Sequence, residues 1–205
     1  MMRLYESEVS GNCYKVRLLL SHLKIPYERV EVDLLAREKR VEQLGEKNPA
    51  AKIPILEIED GRCVAESNAI LWFLADGTKY LPADPFERIR VLQWMFFEQN
   101  NLESNIALAR YWIKVLGKPE NFREALKVRG EGSRAALAVL ERYLARHSFL
   151  VGDQYSIADI SLYGYTHCAP EGGFDLGPYS HVRNWISRVS GQEGYCGMSE
   201  KGMAQ

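Results

Sequence analysis

The stretch from Arg3 to Val32 constrains this chain most. Arg3-Leu4-Tyr5-Glu6 predicts a short strand, and a polar loop covers Ser7 to Asn12. Val16, Leu19, Leu20 and Leu23 then fall at i, i+3, i+4 and i+7, the apolar stripe of a helix, which Pro26 ends. Tyr27 to Val32 alternates, with Glu28, Val30 and Val32 on one face, as a strand does. Strand, helix and strand in so short a run make a right-handed βαβ unit with a parallel sheet.

The next segments extend that unit. Arg37 to Lys47 is charged and reads as an irregular surface helix. Ile55-Leu56-Glu57-Ile58 and Cys63-Val64-Ala65 flank Glu59-Asp60-Gly61-Arg62, a tight hairpin signal. Pro54 heads the first of these runs. Proline cannot donate to a ladder, so it belongs at a strand start, an edge or a bulge. With a cis bond, Ile53 would turn its own N–H and C=O away from the sheet. Glu66-Ser67 opens a helix whose apolar face is Ile70, Leu71, Phe73 and Leu74. Outward-pointing N–H groups at such a start attract a carboxylate.

The order βαβ-α-ββ-α describes a thioredoxin-like α/β domain over residues 1–81. Asp76 to Asp84, with Gly77, Pro82 and nearby Pro85, reads as a linker. An all-helical domain is expected over residues 86–205, so the fold class is α/β plus all-α. Phe86 to Leu116 reads as a long aromatic-rich helix, and Asn121 to Arg146 as another. Ser156-Ile157-Ala158-Asp159 has the form of a capping box. Val182, Trp185, Ile186 and Val189 mark a last helix, and the glycine-rich stretch from Gly191 to Gln205 reads as loose.

Charge and cysteine usage narrow the classes of partner. A net charge of −1 over 205 residues gives no electrostatic case for nucleic acid or an anionic membrane. No apolar run approaches the ~18 residues of a membrane span. No signal peptide is visible. Cys13, Cys63, Cys168 and Cys196 lack paired spacing, which points to reduced thiols and a cytoplasmic location. His22, His147, His167 and His181 show no ligand spacing, so no metal is expected.

Three local motifs carry a resemblance. Asn48-Pro49-Ala50-Ala51-Lys52-Ile53-Pro54 resembles the Asn-Pro-x-x-Lys-Val-Pro stretch of the glutathione S-transferase family. Glu66-Ser67-Asn68-Ala69-Ile70 is similar to that family's Glu-Ser-x-Ala-Ile, and Ser156 to Asp159 to its capping box. The likeness runs from about residue 2 to 190. It implies glutathione as cosubstrate, with Ile53 and Pro54 against the cysteinyl part and Glu66 and Ser67 on the γ-glutamyl end. Lys39 matches a position that reaches the glycine carboxylate, a duty Lys52 can share. A homodimer is implied too, with Asn100, Asn101 and Glu103 reaching toward the partner's γ-glutamyl group.

The helper of the sulfur lies upstream, in Ser10-Gly11-Asn12-Cys13. By resemblance Ser10 matches the serine of theta- and zeta-like transferases. Asn12 matches the asparagine of bacterial nu-like enzymes, which are glutathione-dependent disulfide reductases. Cys13 is a rival nucleophile at a helix start. A free thiol of pKa about 8.5 is only ~3% thiolate at neutral pH. Lowering it by about two units needs roughly 2.7 kcal/mol. One hydrogen bond to an ion supplies roughly 1.5–3 kcal/mol and a helix N-terminus ~0.3–1, so Ser10 and the first turn suffice.

Tyr111, Tyr163 and His167 are the candidates for the electrophile pocket, which the family builds from its helical domain. The leading expectation is conjugation of the glutathione thiolate to a small electrophile. The alternatives are reduction of a disulfide or peroxide by the same thiolate, and a non-catalytic module of the kind found in a translation elongation factor subunit.

Overall fold

The computed structural model describes residues 1–200 and 202–204. By their contacts they form two compact units, Met1–Asp76 with the segment from Glu193, and Gly77–Gln192.

The first unit is a four-stranded sheet with helices. It contains β1 Arg3–Glu6, α1 Gly11–His22, β2 Glu28–Glu31, α2 Arg37–Leu44, β3 Ile55–Glu57, β4 Cys63–Ala65 and α3 Ser67–Ala75. The strands lie in the order β2-β1-β3-β4. β1 runs parallel to β2, pairing Arg3 with Glu28, while β3 is antiparallel to both β1 and β4. This is the thioredoxin-like arrangement expected from the element order.

The hairpin forms where Asp60-Gly61 stands. Gly61 takes φ 87°, a conformation that suits a residue without Cβ. The Asp60 carboxylate accepts from the Arg62 N–H at 3.0 Å. The core on one side gathers Tyr5, Val32, Leu44, Ala51 and Ile55.

The amphipathic reading of α1 was incomplete, because this helix is buried almost all round. Lys15 and Arg17 are fully inside along with the apolar stripe. Arg17 contacts the Glu6 carboxylate, which also takes Arg29 Nε at 2.8 Å.

The stretch expected to be loose is tied to this sheet unit. Tyr14 Oη donates to Cys196 C=O at 2.8 Å, Arg17 Nη2 to Met198 C=O at 2.6 Å, and His22 Nδ1 to Glu193 C=O at 2.8 Å. Ala204 forms a parallel bridge with Tyr27 beside β2. Residues from Glu193 onward therefore group with the sheet, where the sequence placed them with the helices.

The second unit is helical. Asp84 caps α4 (Pro85–Phe97) by accepting from Glu87 N–H at 2.9 Å, and proline occupies the first turn. The expected long helix then widens. Residues Glu98–Ala107 and Tyr111–Val115 wind in π-type turns on either side of α5, Leu108–Arg110. The amides of Asn100, Asn101 and Asn105 donate back to the carbonyls of Phe96, Phe97 and Asn101. They occupy carbonyls that a wide turn leaves open. The donors of Asn100 and Asn101, proposed to reach a partner, are thus engaged within their own helix.

A 3₁₀ turn at Pro119–Phe122 leads into α6, Arg123–Leu144. α7 (Ile157–Thr166) and α8 (Ser180–Ser190) complete the unit, separated by a 3₁₀ turn at Ala169–Gly172. The capping box is present at the start of α7. Asp159, fully buried, accepts from Ser156 N–H, Leu150 N–H and Trp185 Nε1–H at 3.1, 3.1 and 2.8 Å. Burial pushes its carboxyl up to about 7, against the pull of those donors. No helix is long and apolar enough to cross a membrane among the described residues.

Candidate functional site

Ser10 is the N-cap of α1, with φ −86° and ψ 118°. Its Oγ accepts the Cys13 N–H at 3.3 Å, and its carbonyl accepts from Tyr14 N–H at 2.9 Å. A hydroxyl has two lone pairs and one proton. The cap uses a lone pair, and the same hydroxyl stands beside the Cys13 thiol, pulling its pKa down against burial. Ser10 is half-buried, so the hydroxyl remains within reach of a ligand. The first turn holds no acidic side chain that would cancel the positive end of the helix.

Asn12 lies in the same turn. Its Oδ1 accepts from Lys15 Nζ at 2.8 Å and from Ser67 Oγ at 3.2 Å. An ammonium only donates, so this bond sets which end of the Asn12 amide is oxygen. The bond to Ser67 joins the start of α1 to the start of α3. The structure thus brings together two residues widely separated in sequence, both proposed for the site. Sequence reasoning missed Lys15, which lies off the apolar stripe and is nonetheless fully buried.

Glu66 precedes α3 with φ 70° and ψ 118°. A bulky residue there costs on the order of 1–3 kcal/mol, which the surroundings must hold in place. Its carboxylate is exposed and caps nothing, whereas Ser67 is 4% exposed. The strained residue thus adjoins Ser67, which is itself joined to Asn12.

The loop before β3 is built by Asn48. Its Nδ2 donates to Lys52 C=O at 2.9 Å and its Oδ1 accepts from Ala50 N–H at 3.0 Å. The Ile53–Pro54 bond that follows is cis. Ile53 is half-buried against the Tyr5 cluster. Lys39, on α2, and Lys52 are exposed and make no ion pair among the described residues. Lys47, by contrast, is committed to Glu57 at 2.8 Å and to the Tyr5 ring. Among the described residues, no hydrogen bond or ion pair joins Lys39 or Lys52 to the Asn12–Ser67 group.

Three expectations change. Cys13 is fully buried and its thiol is pushed up to about 12, so it is closed as a nucleophile. Tyr163 is 2% exposed, stacked on His167 at 4.6 Å and edge-on to Trp185 at 6.0 Å. His167 is half-buried, and its Nδ1 donates to Tyr163 C=O at 2.6 Å. Burial pushes its imidazole down, toward the neutral form. Tyr163 belongs to the interior of the helical unit, because every residue of α7 is buried, whereas His167, just past α7, keeps partial exposure. Tyr111 is half-buried, in the second wide-turn segment. No cluster of His, Cys, Asp and Glu fit to hold a metal occurs among the described residues.

A thioredoxin-like sheet with a cis-proline at the head of β3, followed by a helical unit, defines a class of two-part enzymes built on that sheet. The family described as "Glutathione S-transferase, N-terminal domain" matches residues 9–76, and "Glutathione S-transferase, C-terminal domain" matches residues 105–193. The glutathione S-transferase from Pseudomonas fluorescens superposes with a TM-score of 0.94 at 47% identity, covering 97% of this chain and 99% of that one. A possible glutathione S-transferase from Rhodopseudomonas palustris gives 0.95 at 43% identity, covering 100% and 93%. The maleylacetoacetate isomerase of Rhizobium meliloti is 33% identical over 183 residues, 84% of each chain. The chain belongs to the glutathione S-transferase family, whose cosubstrate is glutathione, and is a transferase.

Proposed function

We propose that this chain activates the glutathione thiol at Ser10 and transfers the thiolate to a small electrophile. One observation carries the reading. The half-buried Ser10 hydroxyl is held by its cap bond to Cys13 N–H at a positive helix end, within reach of a ligand. Asn12, with its oxygen held by Lys15 and Ser67, supports the same sulfur. Ile53 and Pro54 take the cysteinyl backbone, Glu66 and Ser67 the γ-glutamyl end, and Lys39 and Lys52 the glycine carboxylate. Tyr111 meets the electrophile.

A second reading follows from the relative named maleylacetoacetate isomerase. The same thiolate would add to a conjugated double bond, allow rotation and leave again. Reduction of a disulfide, which Asn12 suggested, uses it as well. Rates on a chloronitrobenzene, a small mixed disulfide and maleylacetoacetate, measured side by side, separate the three. Glutathione is expected to raise the melting temperature with dose. No shift at millimolar glutathione would sink all three and leave a non-catalytic module.

We also read the protein as a cytoplasmic homodimer with a role in detoxification. The four cysteines are free, which supports a reducing compartment. Phe86, Ile89 and Phe96 lie along one side of α4 at 71, 55 and 64% exposure, an apolar face that suits a second copy. Phe96→Glu is expected to give monomers by light scattering; an unchanged mass would remove this face from the interface.

A further inference from the structure

We propose that Arg17, braced by the segment from Cys196 to Met198, is a positioning residue for Ser10. This rests on the reading of Ser10 as the donor to the thiolate.

Arg17 is 1% exposed and lies on α1 beneath the loop that carries Ser10. Its guanidinium makes three attachments. Nη1 meets the carboxylate of Glu6, the last residue of β1, which is 0% exposed. Nη2 donates to Glu8 C=O at 3.3 Å, inside the loop between β1 and α1. The same nitrogen donates to Met198 C=O at 2.6 Å. Arg29 Nε, from β2, closes on the other oxygen of Glu6 at 2.8 Å. One planar fork thus ties the end of the strand, the catalytic loop and the returning chain to a single point.

The loop has few other fastenings. Ser10 N–H donates to Ser7 C=O at 3.0 Å, and the cap bond joins Ser10 Oγ to Cys13 N–H. Both are local and travel with the loop if it shifts. Arg17 joins the loop to the end of β1 and to the returning segment through one side chain. That segment is itself pinned, by Tyr14 Oη on Cys196 C=O and by the bridge from Ala204 to Tyr27. Hydrogen-bond stabilisation of a thiolate depends steeply on donor position, and a displacement near 1 Å can cost on the order of a hundredfold in rate.

A buried ion pair that only holds the fold together would look the same in a melting curve. The discriminating quantity is the pKa of the bound glutathione thiol, read from thiolate absorbance across pH. Arg17→Lys keeps a positive charge beside Glu6 and loses the fork that reaches Glu8 and Met198 together. It is expected to raise that pKa by about one unit, a tenfold loss of thiolate on the acid side. The rate lost near about pH 6.5 should return above about pH 8.5, with the KM for glutathione changed less than about twofold. A chain cut before Gly197 leaves Arg17 and Glu6 in place and should move the pKa the same way by about half a unit.

If both variants melt lower while the thiol pKa stays put, Arg17 serves only the fold and the inference falls. Should Arg17→Lys not fold, the cut chain decides alone. Ser10→Ala, measured in parallel, separates the two levels. A thiol that Ser10→Ala moves and the other variants leave unmoved overturns the role of Arg17 only. A thiol that none of the three moves overturns the reading of Ser10, and this inference with it.

Discussion

Two described helices of this protein have a serine as their N-cap, and the two serines have opposite fates. Ser156, at the start of α7, is 2% exposed and its hydroxyl is used twice. It accepts from Ala158 N–H at 3.3 Å and donates to Asp159 at 3.4 Å. Asp159 returns the favour by accepting from the Ser156 N–H. Ser10, at the start of α1, has the thiol of Cys13 where α7 has the Asp159 carboxylate, and it is half-buried. The same residue type in the same cap position is structural where its proton is spent inside the protein. It stays within reach of a ligand where the third residue of the helix supplies only a weak sulfur acceptor in place of a carboxylate.

The largest effect that tests this contrast is at Asp159. Asp159→Asn sets an amide NH₂ against a ring of donors, with an expected loss of about 3–5 kcal/mol in urea unfolding. A loss under about 1 kcal/mol would show that the α7 start is not saturated. Next comes Ser10→Ala. Conjugation is expected to fall about 30- to 100-fold, roughly 2–2.7 kcal/mol, with a cap loss of only about 1 kcal/mol in stability. Unchanged turnover would move the role to Asn12. Ser156→Ala should reverse that ratio, costing about 1–2 kcal/mol of stability with kcat per folded molecule intact. The smallest effect is at Cys13. In the folded protein at about pH 8 it should resist alkylation, as mass spectrometry of labelled peptides will show, whereas a reactive Cys13 would reopen it as the nucleophile.

Much of the fold could be read from the chain because its signals are local. The stripe from Val16 to Leu23, the Asp60-Gly61 turn and the Ser156–Asp159 box each depend on neighbours a few residues apart. The parts that could not be read have physical reasons. Periodicity assumes that a helix has a wet side, and α1 and α7 are buried all round, so Lys15 and Arg17 went unnoticed and Tyr163 was offered to a pocket. The wide turns after Phe97 follow no side-chain pattern. The segment after Glu193 is held through the carbonyls of Glu193, Cys196 and Met198. Every residue has a carbonyl, so glycine-rich and polar composition said nothing about them. In the site, Glu66, Ser67 and Pro54 stood out in the sequence, and the link from Asn12 to Ser67 did not, since it joins two helix starts through space.

The contact between Arg17 and Met198 also sets an order in time. A chain made from its N-terminus can complete the strands and α1 early in synthesis, with Glu8 C=O already there for Arg17 Nη2, yet the second acceptor of that nitrogen is made only once translation has passed Met198. The sheet unit is therefore begun before the helical unit and completed after it. A nascent chain stalled within α8 would carry every residue of the Ser10 loop with Arg17 still lacking that partner. The full set of Arg17 contacts would then arrive only after α8 has been made, well after the sheet itself has formed.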